Sequence, residues 1–217
     1  MIEGQGQGAM GYGREAEDQS SGFRLEATGD DNRTLDWSLG RFLTWPYLNG
    51  PQGWTLSDAT LTAVWRVMAV EGRAQKTFYD GGVVNETEFI RFMQAPGIFP
   101  VFLIDQAKKV VTMVAWLSNI EDRSAKGHFC VLGPYHRGMA DRIVKYWADL
   151  KHPDGGPLFL TLVGVTPETY TAAIKMLRQA GFTTLPGVLP NLCNLRYEGR
   201  RVGAVISYYC PGSEAGG

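Results

Sequence analysis

The stretch PLFLTLVGV, residues 157–165, constrains this chain more than any other feature. It is apolar almost without a break. A strand with one wet face alternates apolar and polar residues, whereas a strand covered on both faces has no need to. The run predicts a central strand with helices packed on each side, which is the layering of an α/β domain.

The flanking segments agree. Before the run, Met139, Ile143, Tyr146, Trp147 and Leu150 keep one helical face apolar. After it, Thr166 and Pro167 open a second helix, ETYTAAIKMLRQA, with Tyr170, Ala173, Ile174 and Leu177 on one face. Gly181 ends that helix as a C′ residue. Further upstream, RFLTWPYL (41–48) reads as a short strand broken by Pro46. Residues 56–72 carry Leu61, Val64, Trp65 and Met68 at helical spacing, with Ser57 as N-cap and Gly72 as stop. Asn85 and Glu88 form a capping-box pattern before a second short helix. Three strands follow at 100–106, 109–120 and 127–133, the first two close enough for a hairpin. Two more lie around NLRY (194–197) and VGAVISYY (202–209). The order is β-α-α-β-β-β-α-β-α-β-β, a mixed central sheet without internal repeats.

The ends differ from this pattern. Glycines at 4, 6, 8, 11, 13 and 22 alternate with Gln, Ser and charged residues, and apolar residues are too sparse to offset the entropy of ordering. Residues 1–36 read as a flexible Gly/Gln-rich arm, or as one that orders against a protein partner. Residues 37–212 form the domain, and 213–217 a flexible C-terminus.

Charge and composition narrow the function. A net charge of −1 gives no general attraction to nucleic acid or an anionic membrane. No apolar run reaches the ~18 residues of a membrane span. Cys130, Cys193 and Cys210 are odd in number and far apart, which speaks against a disulfide framework or zinc site and for a reducing, cytoplasmic setting. His128, His136 and His152 lack the i, i+4 spacing of a helical metal pair, and no metal is expected.

One loop carries chemistry. GPYHRGMADRI (133–143) places Arg137 and Gly138 between a strand and a helix. Free N–H groups at a helix start bind anions, so the loop reads as a phosphate cradle or as a plain turn that needs a small residue.

VLGPYHRGMA resembles the cofactor loop of the GNAT family, the Gcn5-related N-acetyltransferases, where a strand runs into V-x-P-x-x-R-G-x-G-x-G/A. Residues 165–182 are similar to the family's N-x-x-A-x-x-x-Y-x-x-x-G-F segment. The element order resembles the GNAT order from about 38 to 210. The resemblance implies a GNAT (acyl-CoA N-acyltransferase) fold with helices on both faces of the sheet. Acetyl-CoA would be the co-substrate, lying between splayed fourth and fifth strands. The pyrophosphate would sit on backbone N–H groups from Arg137 through Arg142. The implied cofactor residues are Val131, Leu132, Arg137, Gly138, Met139, Ala140, Arg142 and Tyr170. Pro134, Arg137 and Gly138 match the first motif; Ala140 and Arg142 replace small residues. Arg142 either pairs with a phosphate or fills the pocket. In the second motif Ala173, Gly181 and Phe182 match. Tyr170 stands at the Asn position, and Leu177 at the tyrosine that protonates the leaving thiolate.

The candidate catalytic groups follow. His128 would be a base near pH 7, or else a hydrogen-bonded strand histidine. Glu121 and Asp122 would act as base or bind a cationic substrate, or form a solvated turn. Tyr209, or Tyr208 beside it, would replace the acid missing at Leu177. Trp45, Trp54 and Trp65 line an acceptor pocket or are core. Arg200 and Arg201 read as a solvated hairpin edge. Two readings compete. One is an N-acetyltransferase acting on a small-molecule or protein amine. The other is a non-catalytic GNAT-fold protein, for example a bacteriophage virion component.

Overall fold

A computed structural model describes residues 41–50, 53, 54 and 56–212. The arm (1–36) and the C-terminal tail (213–217) lie outside these residues. The elements are β1 (Phe42–Pro46), β2 (Asn49–Gly50), β3 (Gly53–Trp54), α1 (Asp58–Val70), α2 (Arg73–Thr77), α3 (Glu86–Met93), β4 (Phe99–Asp105), β5 (Val110–Glu121), β6 (Ser124–Val131), α4 (Met139–Asp149), β7 (Thr161–Pro167), α5 (Thr171–Gln179), β8 (Thr183–Thr184), β9 (Leu189–Leu195) and β10 (Arg200–Tyr209).

Local chemistry explains the helix starts. Ser57 is extended, and its side chain accepts from the Thr60 N–H at 3.3 Å. Replacing Ser57 with alanine is expected to cost ~1 kcal/mol in urea unfolding. Asn85 accepts from the Glu88 N–H at 2.9 Å, but the Glu88 carboxylate turns back to the Val84 N–H at 2.8 Å, one residue before the cap.

The main sheet runs β1-β4-β5-β6-β7-β10-β8, and β9 also pairs with β10. β6 and β7 are parallel, joined through α4, while β1–β4, β4–β5, β5–β6 and β7–β10 are antiparallel. Side chains alternate between two cores. Val101, Leu103, Met113, Ala115 and Leu117 pack beneath Ile143 and Trp147 of α4. Phe102, Ile104, Val114 and Trp116 pack beneath Leu61, Val64 and Met68 of α1 and Phe89 of α3. Trp65 lies in this second core, 5.5 Å from the Phe89 ring, and Trp45 packs against it.

Three expectations shift. β7 starts at Thr161, and Thr166 and Pro167 belong to it because they pair with Val205 and Ala204; the helix therefore starts at Thr171. The NLRY strand is instead β9, seven residues long, followed by a 3-10 turn at Arg196–Glu198. Pro190 and a row of exposed residues hide that edge strand from an alternation test. The both-face cover inferred for β7 is complete only beneath α4 and α5, where Leu162 is fully buried. Val163 and Val165 on its other face are half-buried. No helix among the described residues is long and apolar enough to cross a membrane.

Candidate functional site

The parallel ladder between β6 and β7 holds three residue pairs, Ser124 with Thr161, Ala125 with Leu162 and Lys126 with Val163. Beyond them the strands separate. β6 stays on β5 and β7 stays on β10. The Leu132 N–H donates to the Thr112 carbonyl at 2.8 Å. Antiparallel alternation then turns the N–H and C=O of Cys130 and His128 toward β5. Those of Phe129 and Val131 face the opening, whereas the Gly127 N–H is taken up by Val163 in the last rung of the ladder. The Glu168 N–H donates to the Gly203 carbonyl at 2.9 Å, and the same rule turns Val165 of β7 toward the opening.

A cleft of about 80 Å³ occupies the gap. Its walls include Gly127, His128 and Phe129 of β6, Val165 and Thr166 of β7, and Tyr170, Ala173 and Leu177 at and along α5. Lys76, Thr77 and Tyr79 close it from the α2 side. A second cavity of about 140 Å³ adjoins it and shares Lys76, Tyr79 and Tyr170.

Gly133 and Gly138 bracket the loop into α4, with φ of +79° and +90°. Both angles lie in the region that side chains avoid. Gly138 is the N-cap of α4, and a Cβ there would meet no atom within 4 Å, so the glycine serves the backbone angle and leaves open space above the helix start. The Met139 N–H reaches the His136 carbonyl at 3.2 Å. Arg137 is exposed, and its guanidinium forms no ion pair or hydrogen bond among the described residues. Met139 and Ala140 are fully buried and anchor the first turn in the core.

Arg142 does not fill the cleft: its Nη1 donates to the Phe42 carbonyl of β1 at 3.1 Å. A different arginine reaches the free edge. Arg73 of α2 donates to the Val131 carbonyl and, at 3.3 Å, to the Gly133 carbonyl, and it also pairs with Glu71. Leu132, buried, contributes packing on the α1 side.

His128 stacks on Trp116 at 5.0 Å with nearly parallel rings, and its Nε2 lies 2.9 Å from the Ser118 hydroxyl. Burial, and next the Lys126 charge, push its pKa down to about 4. It is neutral at pH 7 and a weak base for an ammonium ion. The hydrogen-bonded strand histidine describes this geometry. Glu121 is exposed at the turn between β5 and β6, opposite Ser124, at the closed end of the β6–β7 pair. Tyr209 sits opposite Leu162 at that same end and packs on Phe182 at 5.7 Å. The structure therefore brings His128, Tyr170 and Leu177 together and leaves Glu121 and Tyr209 apart from them. Arg73, Lys76 and Tyr79 are missing from the sequence reading. They lie on or just after a five-residue helix too short for periodicity to reveal.

Tyr79 is held in place on the second cavity. The Cys193 thiol lies 3.7 Å from its hydroxyl, and its carbonyl accepts from the Arg196 N–H at 2.8 Å. Burial raises the Tyr79 pKa, and the Cys193 contact adds to the shift. Among the described residues no group of three or more His, Cys, Asp or Glu side chains is placed to hold a metal.

No family model and no curated protein matches the sequence. Solved structures do match. The spermidine N-acetyltransferase of Vibrio cholerae, in complex with CoA and spermine, is 12% identical with a TM-score of 0.59, over 79% of this chain and 96% of that one. A GNAT-superfamily phosphinothricin acetyltransferase of Sinorhizobium meliloti, bound to acetyl-CoA, is 14% identical with a TM-score of 0.56, over 81% and 91%. An acetyltransferase of Salmonella typhimurium that modifies the N-terminal serine of ribosomal protein L7/L12 is 12% identical with a TM-score of 0.56, over 71% and 91%. The fold is the GNAT fold.

Proposed function

We propose that this chain is an N-acetyltransferase that moves an acetyl group from acetyl-CoA to an amine. The observation that carries the reading is the parallel ladder that stops after Lys126 and Val163. It leaves backbone donors of β6 facing a cleft inside a sheet, in a GNAT fold whose solved examples hold acetyl-CoA or CoA.

Acetyl-CoA supplies an activated acetyl thioester. The chain supplies position and polarity. The Phe129 and Val131 N–H groups, turned toward the cleft, are fixed dipoles that stabilise negative charge developing on a carbonyl oxygen. The glycine-started helix α4, with Arg137 beside it, suits a pyrophosphate. Arg73 adds a guanidinium at the Val131 end of the cleft. The amine's proton leaves to water, because burial pushes the His128 pKa down to about 4, too weak a base for an ammonium ion, and its Nε2 is tied to Ser118. Tyr170, the N-cap of α5, borders the cleft where Leu177 has no proton to give.

The test is release of CoA thiol from acetyl-CoA in the presence of amines. Release above the hydrolysis blank is expected, and it should fall at least tenfold in Arg73→Met, which removes the guanidinium at the Val131 end of the cleft.

A second reading, a non-catalytic GNAT-fold component such as a virion part, draws on two observations. Arg73 already occupies the Val131 carbonyl, and Leu177 replaces the acid. Absence of thiol release with every amine, together with no acetyl-CoA binding, would establish it.

A further inference from the structure

The second cavity opens on the side of the cleft formed by α2 and the β9–β10 turn. Three tyrosines, Tyr79, Tyr170 and Tyr197, line it alongside Gly72, Gln75 and Leu195. The Tyr79 and Tyr170 rings stand at 88° to each other with centroids 6.2 Å apart. Tyr197 and Glu198 complete the wall from the 3-10 turn. The tyrosines come from three separate segments, and the one at the corner is fixed from two sides. The Tyr79 hydroxyl meets Cys193, which is 2% exposed, and its carbonyl holds the Arg196 N–H. The Arg196 side chain also reaches the Gly81 carbonyl at 3.5 Å, which ties the segment after α2 to the β9–β10 turn.

Perpendicular aromatic faces with a carboxylate at the rim attract an ammonium ion, through the ring quadrupoles and the anion together. Glu198 is paired with Arg200 at 2.7 Å, but both groups are about half exposed, so water screens that pair and the carboxylate keeps acceptor capacity. Lys76 also borders the cavity. It lies on an exposed face of α2, where a long stem can line a wall while the charge stays in solvent.

We infer that this cavity is a cation-binding cage for the acceptor. The acceptor is then a diamine, or a chain with a second ammonium. That second ammonium rests among Tyr79, Tyr170, Tyr197 and Glu198, and the first enters the cleft. This rests on the acetyltransferase reading. The cage binds the end of the acceptor that does not react. In transfer, a nitrogen–carbon bond forms to the acetyl carbonyl as the carbon–sulfur bond breaks. The amine's proton goes to water, and the leaving thiolate takes a proton from water.

Three acceptors of nearly equal length separate the alternatives: 1,3-diaminopropane, n-butylamine and β-alanine, each assayed by thiol release at saturating acetyl-CoA. The diamine is expected to show about tenfold higher kcat/KM than butylamine, with β-alanine the poorest. Glu198→Gln and Tyr197→Leu should each lower the diamine value several-fold and leave butylamine unchanged, a pattern that general damage to the fold would not produce. Equal rates for all three amines, no transfer to any of them despite acetyl-CoA binding, or a preference for β-alanine through Lys76 would overturn the cage and leave the co-substrate site standing. Absence of acetyl-CoA binding in calorimetry would overturn both.

Discussion

Trp147→Ala is expected to lower the unfolding free energy by about 3–5 kcal/mol. Trp147 is fully buried on α4 and lies against the part of β6 that leaves β7. Its ring is 5.3 Å from Phe129, and a Cβ built on Gly127 would lie 3.6 Å from it. The same indole therefore supports the core and backs the strand whose free edge faces the cleft. Its Nε1 is buried without a hydrogen-bond partner among the described residues. Leaving such a donor unsatisfied costs about 1–3 kcal/mol, so Trp147→Phe removes that penalty along with some packing and should lose under about 2 kcal/mol. Urea unfolding of both variants, at unchanged m-value, checks this. A loss from Trp147→Phe well above about 2 kcal/mol would refute the cost assigned to the buried N–H, which both substitutions remove.

The second large effect is acid sensitivity carried by His128. Its folded pKa of about 4 lies below the ordinary histidine value of 6.5. Protonation therefore favours the unfolded chain. The stability at stake is fully present above pH 6.5 and is lost as pH falls toward 4. About 2.5 pH units at 1.36 kcal/mol each gives a loss of about 3 kcal/mol across this window. Carboxylates such as Asp105, whose pKa is lowered despite its burial by Arg41 and the Lys108 N–H, add their own loss further down. The comparison is therefore wild type against His128→Gln, which keeps a polar group near Ser118 but does not titrate here. The difference in stability between the two should shrink or reverse in favour of the variant from pH 7 to pH 4.5. A constant difference would mean that His128 protonates freely in the fold.

The sequence made some of this legible and not the rest, for physical reasons. Leu61, Val64, Trp65 and Met68 announced α1 because a helix packed on one side must repeat its apolar residues, and Ser57 announced its start because four N–H groups need acceptors. Gly138 was visible because a left-handed residue before a helix is nearly always glycine. The end of the β6–β7 ladder was not visible, since the separation depends on β5 and β10 pulling the two strands apart from outside. Arg142 was open between two roles until the Phe42 carbonyl showed where it goes. Tyr209 looked suitable by type alone, but the β10 register sets it at the closed end. Arg73 lies on a helix of five residues and Tyr79 just after it, where neither period nor composition marks them.

The most direct measurement is calorimetric titration of acetyl-CoA into the purified protein and into Arg137→Glu. Arg137 is exposed and has no ion pair or hydrogen bond among the described residues, so its replacement spares the fold while reversing the charge beside the start of α4. The account predicts saturable binding by the wild type and at least tenfold weaker binding by the variant, as expected for a lost charge-assisted contact to phosphate. No heat from the wild type, or the same affinity in both proteins, would contradict a pyrophosphate site at this loop.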